Sequence, residues 1–325
     1  VKIRFAADVL ARPSTSGREL YAIAACFDCG QHQWEIDDLD ALLGSAWMRG
    51  LPTWDALDEL AEKSYRAAID EPALHPPRWL VVVTDAAPGV TERVVYCDPG
   101  EARRLATNPL RVILENATSD GGFVRSVAAT YAATAVTTAI AKGWLVFDQA
   151  GGSGEFVKRA TALLALSVPP LRILCLMDSD RLVPGPLPPT VAKRCSELTA
   201  LGVDSFVLHK REVENYLPPS AIDRDRTRSV YVSWLRLTPV QQDHYDMKYG
   251  FREDPKTGEA SLLAEQEGLF ADVSQWHRRR LIGGFGKAVG ECFDGEPLDA
   301  KELEARCESK PGELRELVSW LEAAL

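Results

Sequence analysis

Between residues 108 and 222, short apolar runs alternate with helix-like stretches, and this alternation limits the fold more than any other feature of the chain. Four runs read as strands: Arg111-Val112-Ile113-Leu114, Trp144-Leu145-Val146-Phe147, Leu171-Arg172-Ile173-Leu174-Cys175-Leu176-Met177 and Phe206-Val207-Leu208. They are apolar along nearly their whole length, as expected of strands covered on both faces. Residues 123–141, 155–166 and 190–201 carry helical patterns between them. Such a succession predicts an α/β unit, a parallel sheet flanked by helices. It divides the chain into a mixed α/β region over 1–107, this unit over 108–222, and a mostly helical region over 223–325.

The flanking regions are less patterned. Residues 78–84 predict a buried strand and 92–96 a further one. Residues 55–69 predict an amphipathic helix. Residues 302–325 predict one or two helices, and 254–259 a loop. With 46% apolar and 26% charged residues in 325, disorder is excluded as the main state. The formal charge of −10 means that bulk attraction does not draw nucleic acid to this chain. Any such contact needs a local basic strip or bound cations. The longest uncharged stretch, 126–141, is short and rich in Ala and Thr, so it reads as a buried helix and no membrane span is expected. The seven scattered cysteines suggest reduced thiols and a cytoplasmic setting.

In open parallel sheets, sites form at the carboxyl ends of the strands. Glu115 follows the first predicted strand directly, with Asp120 five residues on. Asp178-Ser179-Asp180 follows the third, and Lys210, Glu212 and Glu214 follow the fourth. Side chains two apart in extended chain share a face. Asp178 and Asp180 are therefore expected to face one cavity, and Lys210, Glu212 and Glu214 to share another face. Carboxylates gathered in one cleft repel and raise one another's pKa. A divalent cation relieves that, and oxygen ligands suit Mg²⁺ or Mn²⁺. Two such ions stabilise both the attacking and the leaving oxygen in phosphodiester cleavage. Taken singly, each acid also reads as a helix cap or a solvated loop residue.

The runs Ile113-Leu114-Glu115, Leu176-Met177-Asp178-Ser179-Asp180-Arg181 and His209-Lys210-Arg211-Glu212-Val213-Glu214-Asn215-Tyr216-Leu217-Pro218 together resemble a TOPRIM domain. More narrowly, they resemble the TOPRIM nucleases of the OLD (overcoming lysogenization defect) family. The resemblance covers about a third of the chain and implies a TOPRIM-like, Rossmann-like sheet. It implies metal binding by Glu115, Asp178 and Asp180, with Asp120 and Glu214 completing the site. It further implies a Mg²⁺- or Mn²⁺-dependent nuclease acting on DNA or RNA, and a setting in bacterial anti-phage defence beside an ABC-type ATPase. Lys248 is the expected basic residue, because OLD-type nucleases use a Lys beyond the acidic motifs. Arg181 and Lys210 are the alternatives. Asn116 stands where the family has Gly, and the second acid comes five residues on rather than four. A non-catalytic TOPRIM-like module docking an ATPase is the second reading.

Other motifs point less sharply. Cys26, Cys29 and His32 give a C-x₂-C-x₂-H spacing, with His75 or Cys97 available as a fourth zinc ligand, but no second paired cluster follows. Gly151-Gly152-Ser153-Gly154 reads as a tight turn. Gly283-Gly284-Phe285-Gly286-Lys287-Ala288 fails the Walker spacing, so no ATP hydrolysis is expected. Arg278-Arg279-Arg280 beside Trp276 is either a phosphate contact or a solvated helix face.

Overall fold

A computed structural model describes residues 1–12, 17–51, 54–70, 79–91, 93–166, 169–222 and 224–325. His75, Arg78 and Glu92, which enter the readings above, lie outside the described residues. The chain is α/β and carries two main sheets. The first contains β1 (Lys2–Phe5), β2 (Gln33–Trp34), β3 (Leu80–Val83), β4 (Gly89–Thr91) and β5 (Val94–Cys97). Their order is β2-β1-β3-β5-β4, and only the β4–β5 pair is antiparallel. The second contains β6 (Leu110–Leu114), β7 (Leu145–Gln149), β8 (Ile173–Met177) and β9 (Asp204–Val207). Its order is β7-β6-β8-β9, parallel throughout.

The second sheet shows why its strands are apolar on both sides. Leu110, Val112 and Leu114 of β6, with Leu174 and Leu176 of β8, enter one core with the helices Ser119–Thr130, Thr134–Ala141 and Glu313–Ala324. Ile113, Ile173, Cys175 and Met177 enter another core on the opposite face, under the helices Phe156–Ala165 and Pro189–Ala200. The period of two along each strand sorts the side chains between these cores. The last hundred residues share the first core through Tyr245, Met247, Phe251, Phe270, Leu281 and Phe293. A further core gathers residues between Val1 and Ala106, around Phe5, Phe27, Trp34 and Trp47. Phe27 stacks on Trp34 with ring centroids 5.1 Å apart.

The single helix expected over 123–141 is two helices, Ser119–Thr130 and Thr134–Ala141. Ala132 takes the left-handed conformation, φ 52°. Ala133 N donates to Ala128 O (2.9 Å) and Ala132 N to Ala129 O (3.1 Å). This is a Schellman ending with Ala where Gly is usual. The C-terminal helices expected over 302–325 are Ala300–Arg306 and Glu313–Ala324. A small hairpin, Arg252–Glu253 with Ala260–Ser261, frames the expected loop. No helix among the described residues is long and apolar enough to cross a membrane.

Candidate functional site

The chain leaves β6 for β7 on one side and returns to β8 on the other, so the strand order reverses between β6 and β8. Ligands of open parallel sheets bind outside the carboxyl ends of the strands at such a point. Glu115 directly follows β6 and Asp178 directly follows β8. Asp120 lies in the first turn of the helix Ser119–Thr130. Its carboxylate accepts from Asn116 N (2.9 Å) and from Ser119 Oγ (3.0 Å). Asn116 in turn accepts from Thr118 N (2.9 Å), a local turn that folds Asp120 back toward Glu115.

Asp178-Ser179-Asp180 is not extended. Asp180 has a left-handed backbone, φ 54°. Asp180 N donates to Arg211 O (3.1 Å), and Ser179 Oγ donates to Lys210 O (2.7 Å). Asp178 therefore looks toward Asp120, Glu214 and Glu212, whereas Asp180 lies toward Arg194 and Arg211. Both still feel Lys248.

Beyond β9 the face expected for Lys210, Glu212 and Glu214 does not form. Residues Val213–Tyr216 make a 3₁₀ turn, and Val213 N donates to Asp178 Oδ1 (3.0 Å). Lys210 is 1% exposed and runs into the core. There it pairs with Asp243 and donates to Asn215 O (3.3 Å). Burial, then Arg306, brings the Lys210 ammonium down to about 8. Glu212 and Glu214 alone join the acids. Alternation by two holds only while the chain stays extended. Arg181 is also structural: it donates to Gly185 O (3.1 Å) and His209 O (2.8 Å).

Lys248 is the hub. Its Nζ stands 3.1 Å from Glu214 Oε2 and 4.0 Å from Glu212 Oε2. Its charge acts on all six acids, Glu115, Asp120, Asp178, Asp180, Glu212 and Glu214. Burial raises every one of these carboxyls above the usual range, Glu212 to about 8 and Asp178 well above it. Burial also pulls the Lys248 ammonium down, but Glu214, Asp178 and Glu212 outweigh it and hold it well above the ordinary lysine value. Glu214 Oε1 and Glu212 Oε2 are buried without a hydrogen-bond partner, and Glu214 Oε2 has only its ion pair with Lys248. Such atoms carry a desolvation cost that a cation would offset.

The glycine-rich run 283–286 has a supporting role. Phe285 N donates to Met247 O (2.8 Å) and Gly286 N to Lys248 O (3.2 Å), which fixes the Lys248 backbone. Gly250 lies so close that a Cβ there would stand 2.0 Å from Leu281 O. A Cβ at Gly290 would stand 2.6 Å from Glu214 Oε1. Arg194 and Arg211 were not among the sequence candidates. Arg194 sits on the helix Pro189–Ala200, and Arg211 pairs with Asp246 (2.8 Å). Arg211 adjoins Glu212, whereas Arg194 stands well along the chain from Asp180 and carries no local signal.

As they stand, no three His, Cys, Asp or Glu side chains among the described residues form a group that could hold a metal ion. Lys248 lies between Glu212 and Glu214, and the Asp120 carboxylate is turned to Asn116 and Ser119. Cys26 and Cys29 are free thiols directed at the carbonyls of Ala22 and Cys26, and His32 Nε2 lies 3.0 Å from Ala106 O. In the basic run, Arg278 donates to Phe270 O and Ala271 O (2.8 Å each), and Arg280 lies over the Trp276 ring. Comparison with family models, curated proteins and solved structures returns no significant match.

Proposed function

We propose that the chain is a metal-dependent nuclease that hydrolyses phosphodiester bonds in DNA or RNA. The observation that carries this reading is the set of six acids gathered at the strand reversal around a single lysine, with Glu214 fully buried, its Oε2 met by Lys248 at 3.1 Å and its Oε1 without a hydrogen-bond partner. The donors are all carboxylate oxygens, which suit Mg²⁺ or Mn²⁺. Glu115, Asp120, Asp178, Asp180 and Glu214 would hold the ions, with Glu212 beside them. Bound there, such ions supply electrophilic stabilisation of the oxygens exchanged at phosphorus. Lys248 keeps its proton through the neutral range and offers positive charge where charge grows on the phosphate. Arg194 and Arg211 act on Asp180 and would meet phosphate entering at that end. Identity as a TOPRIM domain of the OLD type, a cytoplasmic setting and an ABC-type ATPase partner in anti-phage defence belong to the same proposal. They are supported by the acidic motifs and the parallel sheet that carries them.

The second reading is a non-catalytic module that docks the ATPase. The position of Lys248 between Glu212 and Glu214, where it substitutes for an added cation, favours it. Calorimetric titration with Mg²⁺ and Mn²⁺ separates the two. The nuclease reading expects binding that is lost in Asp178→Asn and weakened in Glu214→Gln, with both variants folded by circular dichroism. Absence of binding by the unaltered chain would favour the docking module.

A further inference from the structure

Lys248 and Tyr249 are neighbours in sequence but face opposite ways. Lys248 turns inward to Glu214, while Tyr249 is 57% exposed. The exposed ring does not sit on a loose loop. Tyr249 N donates to Asp246 Oδ1 (2.7 Å), and Asp246 is itself held by Arg211 (2.8 Å). On either side, Gly250 N donates to Asp246 O (2.8 Å) and Gly286 N to Lys248 O (3.2 Å). The same glycine-rich run brings up Lys287, whose Nζ lies 5.6 Å from the centre of the Tyr249 ring. Lys287 is exposed and has no ion-pair partner among the described residues.

A fixed, solvent-facing aromatic ring with an unpaired ammonium beside it matches the requirements of a polynucleotide strand: a base stacks on the ring and a phosphate meets the cation. Here the chemistry is selective. The protein carries a net charge of −10, so bulk attraction does not hold a phosphate backbone, and local contacts must. Tyr249 directly follows Lys248, so a strand seated on the ring crosses the segment that carries the lysine of the site. A base inside a duplex is already stacked above and below. Only a strand with an unpaired base can use the ring.

We propose that Tyr249 and Lys287 form a base-stacking platform that seats a single-stranded polynucleotide beside the segment that carries Lys248. The substrate class is then single-stranded DNA or RNA rather than uninterrupted duplex. This inference rests on the nuclease reading for its functional meaning, but its test does not depend on cleavage.

The test is fluorescence anisotropy with labelled single-stranded DNA, single-stranded RNA and duplex of one sequence, in Ca²⁺ and in EDTA. The unaltered chain is expected to bind a single strand more tightly than the duplex, and the DNA and RNA arms identify which strand it takes. A stacked base is worth about 1–3 kcal/mol, so Tyr249→Ala is expected to weaken single-strand binding roughly 5- to 150-fold. Tyr249→Phe keeps the ring and is expected to restore binding. A strand lacking bases is expected to bind Tyr249→Ala and the unaltered chain equally. Lys287→Ala is expected to weaken binding and flatten its salt dependence. Unchanged single-strand affinity in Tyr249→Ala, or a preference for duplex, overturns the platform. If that happens while Glu115→Ala still abolishes cleavage, the nuclease reading stands alone. If the strand stacks on Tyr249 but is never cleaved, the platform stands and the nuclease reading falls.

Discussion

Replacing Glu212 by Gln removes one negative charge from the cluster while keeping the shape of the side chain. Glu212 is 8% exposed, its Oε2 has no hydrogen-bond partner, and its nearest cations are Arg211 Nε at 3.5 Å and Lys248 Nζ at 4.0 Å. Burial, then Asp246, pushes its carboxyl up to about 8 from 4.5, and Lys248 and Arg211 do not cancel this. The folded chain thus holds the Glu212 proton more tightly than the unfolded chain does. Below pH about 4.5 the group costs nothing; stability is lost as pH rises toward 8, and above that the full cost applies. At about 1.4 kcal/mol per pH unit the ceiling is roughly 5 kcal/mol. Relaxation of the surrounding protein brings the expected figure to about 2–4 kcal/mol. Urea denaturation in EDTA at pH 4.5 and pH 8.5 measures it. Glu212→Gln is expected to be more stable than the unaltered chain at pH 8.5 and about equal to it at pH 4.5. Added Mg²⁺ should narrow the gap, since a bound cation offsets the same charge. Equal or lower stability of Glu212→Gln at pH 8.5 would refute the view that the cluster stores uncompensated charge.

Lys210→Met leaves buried Asp243 without its main partner and is expected to cost about 3–5 kcal/mol in urea; Mg²⁺ binding by the remaining folded protein should be unchanged, because Lys210 faces the core. Gly250→Ala puts a Cβ 2.0 Å from Leu281 O at a φ of +65°. It is expected to cost about 3 kcal/mol or more in thermal unfolding, because backbone on both sides must move. Ala132→Gly relieves a left-handed alanine at φ 52° and is expected to raise stability by up to about 1 kcal/mol, measured the same way.

The parts of the fold that sequence made legible share one property: local chemistry decides them. The central strands β6 and β8 are buried at every residue but Arg111, because helices cover both faces, and that leaves a mark in the sequence, a run of apolar residues. β1 and β2 left no such mark. Lys2-Ile3-Arg4-Phe5 alternates with charge, and Gln33-Trp34 is too short to show a period. β1 pairs with β3, far along the chain, and β2 pairs with β1. The break at Ala132 was invisible because alanine favours helix, and packing rather than residue type imposes the left-handed turn. At the site, the positions of Glu115 and Asp178 follow from strand ends alone. Lys210 went the other way because the chain turns at Val213–Tyr216 and loses the alternation of a strand. The Lys248–Glu214 pair spans a long stretch of chain, so spacing could not reveal it; the family resemblance pointed to Lys248.

Cleavage tests the central claim most directly. Purified chain would be incubated with plasmid, linear DNA, single-stranded DNA and tRNA in Mg²⁺, Mn²⁺ or EDTA, beside Glu115→Ala and Asp178→Ala. The account expects cleavage that requires the metal and disappears in both variants while their circular dichroism is unchanged. Cleavage that persists in EDTA or in either variant would contradict it, as would the absence of cleavage under every condition.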